Sequence, residues 1–427
     1  VTTTTAPAPG PRADVVEDTG ARRRALTVAA LCIAVGIGAV VLFGLTATSD
    51  QVSTLLLNPR GVDTLPDLEV PTQIAAFVLG FGAIALGVRA LRVAEPRIAV
   101  YLGGALGFFA LALVVWAARD GTGAFYGLVA GAVQRATPIA LGAIAGLLCE
   151  RAGVINIAIE GMMLASAFGA AITASATGSL WIGLLCGLLT GAVFGAVHAV
   201  VSIRYEVDQI VGGTFINIFA LGMTSYLTVR VLVEYPDLNQ PGTFRPFEIP
   251  LLVEIPFVGP LLFSQNVFGF LMFGLAIFLA WALFNTRWGL RVRSVGEHPR
   301  AADTVGISVR AVRYRSVILG GLVAGLGGAW FTLGSAGRFD QNMTNGKGFI
   351  ALAAMIFGRY HPVGALVAAL VFGFSEQLND YLALLDTPIP SEFLLMAPYV
   401  VTIIVVAGVV GRTRVPAADG QVYRSGG

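Results

Sequence analysis

Apolar residues in this chain fall into long runs, with little of the alternation of an exposed strand or the single stripe of a surface helix. Such runs recur near 25–46, 73–88, 98–118, 123–148, 152–173, 180–202, 211–233, 265–285, 317–336, 349–358, 363–379 and 393–410. Most are long enough to cross a hydrocarbon core about 30 Å thick. A spanning segment must satisfy its own backbone hydrogen bonds, so all are read as helices. The stretch 349–358 is too short for a full crossing and, with its neighbour, predicts a broken or re-entrant element. The stretch 152–173 opens on polar groups. The pattern as a whole predicts an all-α, polytopic helical membrane protein with about 10–12 transmembrane helices.

The polar segments set the orientation. Residues 1–24 are rich in Thr, Pro and Ala and are expected to form a disordered tail. Arg22, Arg23 and Arg24 then precede an apolar run longer than the roughly 7–15 residues of a signal peptide, so it is read as a retained first span. Alternating the spans puts 20 of the 27 Lys and Arg residues on one side and seven on the other (Arg60, Arg119, Arg135, Arg230, Arg245, Arg338 and Lys347). The positive-inside rule makes the first side cytoplasmic. Tails 1–24 and 411–427 then flank a membrane domain, 25–410, whose basic inner loop is 286–316. On the outer side, residues 234–264 carry six prolines and suit an ordered cap. Glycines spaced as Gly103-x3-Gly107 and Gly321-x3-Gly325 let helix backbones approach closely.

Composition narrows the function. Only 12% of the 427 residues are charged and the mean hydropathy is +0.80, against about 25% charged in soluble proteins. A solvated enzyme domain, a disordered chain and a collagen-like fibre are excluded. A net charge of +2 gives no electrostatic case for nucleic acid. Cys32, Cys149 and Cys186 lie in or beside apolar runs and read as small core residues. The chain has no phosphate-binding loop, its sole lysine standing in Asn345-Gly346-Lys347-Gly348. No His-Glu-x-x-His or Gly-x-Ser-x-Gly occurs, so no catalytic residue, metal ligand or cofactor is expected. One lysine against 26 arginines reads as a GC-rich coding preference and, with Val at position 1, suggests a bacterium.

Three segments carry the candidate chemistry. In Glu150–Leu164, Asn156 and Glu160 are four residues apart and would share a face if helical; Met163 follows one turn on. A carboxylate in a span is costly unless paired or wetted, so Glu160 either pairs with a neighbouring donor to fix packing or contacts a solute. In Glu206–Asn217, Asn217 and Phe215 would offer an amide and an aromatic face to a solute along the path, or else serve as packing groups. In the basic inner loop, Pro299 suits a first helical turn and Gly306 a stop, with Arg300, Ala301, Ala302 and Asp303 between. Asp340, Asn342, Asn345 and Lys347 read mainly as a polar loop.

The stretch Val292–Ile307 resembles the cytoplasmic coupling motif of bacterial ABC-transporter permeases, Glu-Ala-Ala-x-x-x-Gly, with Arg300 where that Glu would stand. Together with Glu150–Leu164 it is similar to the permeases for simple sugars, branched-chain amino acids and nucleosides, most of all the second permease of purine-nucleoside importers. The likeness covers roughly residues 122–411. It implies a permease subunit in a bacterial plasma membrane, importing a small polar solute such as a nucleoside or simple sugar. It also implies separate cytoplasmic ATPase subunits, a second related permease chain and an extracytoplasmic substrate-binding lipoprotein. Glu297, Pro299, Arg300, Ala301, Ala302, Asp303 and Gly306 would couple to the ATPases; Asn156, Glu160, Met163, Phe215 and Asn217 would line the path. The competing reading is an ion- or proton-coupled secondary transporter with Glu160 as its ion site.

Overall fold

The computed structural model describes residues 14–59, 61, 64–93, 96–385, 396 and 415–424. The expected span at 393–410 lies outside these residues, apart from residue 396. Among the described residues, nine helices are long and apolar enough to span a membrane. They begin with α1 (Asp14–Ala39), α2 (Thr72–Leu91) and α3 (Ile98–Ala117). Helix α1 starts within the stretch expected to be a disordered tail, because Asp14–Arg24 contains no proline and leads directly into the apolar run.

These three helices pack on one another and meet the rest of the chain along a seam. There Phe43 and Trp116 join Leu128, Leu378, Tyr381 and Leu382. Short strands seal the end of the bundle that lies away from most of the arginines. β1 (Val52–Leu55) pairs antiparallel with β2 (Leu68–Pro71), Val52 opposite Pro71, and parallel with β3 (Thr122–Gly123).

The main body begins with α4 (Phe125–Glu150), buried at every residue from Ala136 to its end. Around it stand α5 (Ile159–Thr177), α6 (Leu180–Ala199) and α7 (Gln209–Leu227). The proline-rich segment after α7 is ordered, as its composition predicts. It contains α8 (Val258–Phe263) and a two-stranded pairing of β4 (Phe247–Glu248) with β5 (Ser264–Gln265). Helix α9 (Val267–Asn285) leads back to the arginine-rich end. The loop expected there holds two helices, α10 (Arg287–Glu297) and α11 (Pro299–Thr304).

Helix α12 (Val309–Ala329) crosses next. The chain then folds back through residues 337–346 into the short α13 (Lys347–Phe357) and leaves by α14 (Pro362–Leu384). At about 1.5 Å per residue, α13 covers only some 16 Å, half a crossing, and so supplies the expected broken element.

Of the two glycine pairs singled out, one works as expected. A Cβ on Gly191 of α6 would fall against the backbone of Gly321 and 2.7 Å from Gly325 Cα. This contact lets α6 and α12 touch along their backbones. Gly103 and Gly107 have nothing within 4 Å of a built Cβ among the described residues and bring no described helix close. Replacing Gly191 with valine is expected to cost on the order of 3 kcal/mol by overpacking, seen as a lower thermal midpoint in detergent. Leucine at Gly103 should leave that midpoint unchanged.

Candidate functional site

Glu160 is placed by a break between α4 and α5. The chain leaves α4 at Glu150 and turns at Gly153, whose φ of +82° a side chain would strain. It stays irregular until Ile159. Asn156 lies in this link, so the expectation that it shares a helix face with Glu160 is corrected. Its short side chain bonds locally instead: Oδ1 accepts from the Ala158 amide at 3.1 Å, a turn that competes with helix. Asn156 is fully buried, with Nδ2 3.3 Å from Cys149 Sγ.

Three donors converge on the Glu160 carboxylate. Thr344 Oγ1 donates at 2.7 Å, the Gly346 amide at 2.8 Å and the Gly348 amide at 2.6 Å. All three belong to the first turn of α13 or the residues leading into it, where no local side chain caps the helix. The orphan amides of that half-helix are therefore satisfied by a carboxylate from α5, which also suits the positive end of the helix dipole. Of the two alternatives for Glu160, the structure builds the paired one. Gly348 makes it fit, because a Cβ there would lie 2.5 Å from the Glu160 nitrogen.

The link itself is clamped from α6 and α7. Asn217 Nδ2 donates to the Ile157 carbonyl at 2.8 Å, and its Oδ1 accepts from the Gly161 amide at 2.8 Å. Gln209 Oε1 accepts from the Ile155 amide, and His198 Nε2 sits 2.9 Å from the Ile155 carbonyl. Gln209 and His198 are residues that sequence reasoning misses. Their only signal is a polar residue beside or within an apolar run. Met163 is buried against Gly142, Gly327 and Gly328. The structure thus gathers Asn156, Glu160, Met163 and Asn217 around one link. Phe215 is not among them: it is 67% exposed, on the outward face of α7 with Ile218 and Phe219.

At the arginine-rich end, α11 stands out from the body with Arg300, Ala301, Asp303 and Thr304 exposed. It is held by one inward side chain, Ala302, packed among Val295, Val309, Ile307 and Tyr423. Pro299 occupies the first helical turn. Gly306, with φ +81°, ends the helix, its amide bonding the Asp303 carbonyl. Both positions follow the sequence expectation. Beneath them, Arg151 donates from Nε and Nη2 to the Tyr360 carbonyl, while Phe284 is stacked by His361 and covered by Arg293.

Residues 415–424 lie across this surface as a strap, which nothing in the sequence announced. The Ala418 amide bonds the Gly296 carbonyl at 2.8 Å, and Ala417 donates to Glu297. Tyr423 donates to Asp303 at 2.6 Å, Arg313 to the Gln421 carbonyl, and Arg424 pairs with Glu206. Between strap and α11 is a cavity of about 750 Å³. Asp419 is largely buried and faces Glu150, Arg313 and the Gly420 amide. Burial pushes the Asp419 carboxyl up to about 6 against the pull of those partners.

The docked strap therefore holds a proton that the released strap gives up above the ordinary carboxylate range. Docking is fully stabilised below that range and loses this contribution as pH rises through about 6. The protection factor of the Ala418 amide, corrected for intrinsic exchange, should fall between pH 5 and 7.5. In Asp419→Asn it should stay level.

The sequence profile for the branched-chain amino acid transport system / permease component matches residues 127–406. That range starts inside α4 and leaves α1–α3 outside it. The chain is 40% identical over 311 residues to the guanosine ABC transporter permease protein NupQ of Bacillus subtilis, covering 70% of this chain and 97% of that one. It is also 40% identical over 305 residues to the nucleoside ABC transporter permease protein NupC of Lactococcus lactis, covering 69% and 96%. A further match, 25% identical over 318 residues, is the guanosine ABC transporter permease protein NupP of Bacillus subtilis, covering 70% and 88%. No solved structure matches the chain significantly.

Proposed function

This chain belongs to the permease-component family of branched-chain amino acid transport systems, and on that premise we propose that it is the membrane-spanning subunit of an ATP-driven importer of nucleosides. The substrate class rests on two 40% identical relatives named for guanosine and nucleosides. The coupling role rests on α11, a short exposed helix anchored by Ala302 at the arginine-rich end. In this reading that end is cytoplasmic. ATPase subunits bind there, and a second permease completes the path; the match to both NupQ and NupP supports such a pairing.

Movement of α11 reaches the membrane interior by a short physical route. α11 and α10 touch the strap through Asp303, Glu297 and Gly296. The strap touches Glu150 at the end of α4, immediately before the link that carries α5 and Glu160. ATP binding on the partners would bias this connected set between two arrangements, opening the path to one side or the other. The secondary-transporter reading needs Glu160 as an ion site, whereas its oxygens already cap α13.

The test is co-expression with the neighbouring genes, followed by mild solubilisation. A P-loop ATPase and a second permease should co-purify, and nucleoside should stimulate ATP hydrolysis. Replacing 297–306 with a Gly/Ser linker should abolish that stimulation while the chain stays in the membrane. Full stimulation in the linker variant, or ATP-independent uptake by the chain alone, would overturn the proposal.

A further inference from the structure

The second half of α14 is unusually polar for a helix inside a membrane protein, running Ser375-Glu376-Gln377-Leu378-Asn379-Asp380. Its depth follows from helix geometry. Pro362 starts α14 at the arginine-rich end, so Glu376 stands about 21 Å up the helix and Asp380 about 27 Å. Arg135 is about 22 Å up α4 from Glu150, and Lys347 about 15 Å up α13 from Phe357. All four charges therefore lie between the middle and the far boundary of a core about 30 Å thick.

They form two ion pairs whose carboxylates both stand on α14. Lys347 Nζ is 2.6 Å from Glu376 Oε2. Arg135 bonds Gln377 Oε1 through Nε at 2.8 Å and pairs with Asp380 through Nη2. Gly131 has no room for a Cβ beside the Gln377 amide, so α4 and α14 close tightly around the network. The side chains are only partly covered, Lys347 to 20% exposed and Asp380 to 45%. Charges at this depth do not face lipid; they face protein or a water-filled path. Two positive and two negative groups cancel, which suits a neutral solute and disfavours a nucleotide or an anion.

We propose that this four-charge network on α4, α13 and α14 is where the path contacts its substrate, Glu376 accepting the two hydroxyls of a ribose cis-diol and Lys347 donating to an acceptor on the base. The proposal rests on the nucleoside reading above and adds the residues that would recognise the sugar. A carboxylate offers two oxygens to adjacent hydroxyls, and an ammonium has three donors, so Lys347 can hold Glu376 and a base acceptor together. The charges satisfy one another. Solute entering the path replaces one set of hydrogen bonds by another, and no charge is left bare.

The experiment uses the complete importer in a strain lacking its own nucleoside uptake, with radiolabelled guanosine, 2′,3′-dideoxyguanosine and leucine. Glu376→Gln should raise the KM for guanosine at least tenfold and that for the dideoxy analogue less than twofold. The double variant Lys347→Met/Glu376→Gln leaves no unpaired charge at this pair; at normal membrane abundance it should raise the KM of both nucleosides through the lost base contact, and that of guanosine at least tenfold further. Equal shifts for both nucleosides, or no shift in either variant, would overturn the site while leaving the nucleoside reading intact. Uptake of leucine but of no nucleoside by the unaltered importer would overturn both, since the zwitterion would then own the Lys347–Glu376 pair.

Discussion

Glu160→Ala should leave little folded protein. It strands the donors of Thr344, Gly346 and Gly348 around a vacated carboxylate. Each unsatisfied buried donor costs about 1–3 kcal/mol, so the loss is on the order of 5 kcal/mol, within the range of a whole domain's stability. Monodisperse yield after detergent extraction should collapse, and the surviving protein should melt well below the parent. Glu160→Gln keeps an oxygen for some of the donors but turns an amide nitrogen toward the rest, so it should fall between the two. A Glu160→Gln protein as stable as the parent yet inactive in uptake would mean that the carboxylate exchanges an ion or proton, contrary to its assignment as a cap.

Ala302→Glu should separate coupling from folding. Ala302 is 3% exposed, the single inward residue by which α11 sits on Val295, Val309 and Tyr423. A carboxylate there would be desolvated without a partner and would lift the helix from its seat. Because α11 is a peripheral six-residue element, the membrane body should keep its thermal midpoint to within a few degrees. Nucleoside uptake and co-purification of the ATPase should fall by about tenfold or more, which corresponds to about 1.4 kcal/mol or more of lost association. Ala301→Glu, at an exposed position of the same helix, tests whether the effect needs burial. It should leave α11 seated while still weakening the proposed ATPase docking.

Much of the helical framework is legible because hydrocarbon thickness fixes run length. The runs at 98–118, 180–202 and 265–285 coincide closely with described helices. The shortness of 349–358 correctly marks a half-helix. What escapes such reading is the content of the breaks. Asn156 stands one helical turn before Glu160, and periodicity puts them on one face. Gly153 in the left-handed region and the Asn156 turn remove that face. The partners of Glu160 lie far along the chain, in a loop read as plain polar surface, so no local pattern could supply them.

The strap at 415–424 is short and terminal, with neither a long apolar run nor a helix signal. It is ordered by contacts to α10, α11 and Glu150 that exist only once the body is assembled. Gly103 and Gly107 make the complementary case, since spacing permits a close approach that only a facing helix can realise.

The cap on α13 also sets a clock on synthesis. Thr344 is 184 residues beyond Glu160, and ribosomes add about 5–20 residues per second. Helix α5 thus enters the bilayer roughly 10–40 s before its carboxylate can find its donors. During that interval Glu160 must be held by water, lipid headgroups or the insertion machinery, and α13, half a crossing long, has no independent claim to a place in the membrane. The two problems meet in one contact: the carboxylate left waiting is also the group that holds the half-helix once both are present.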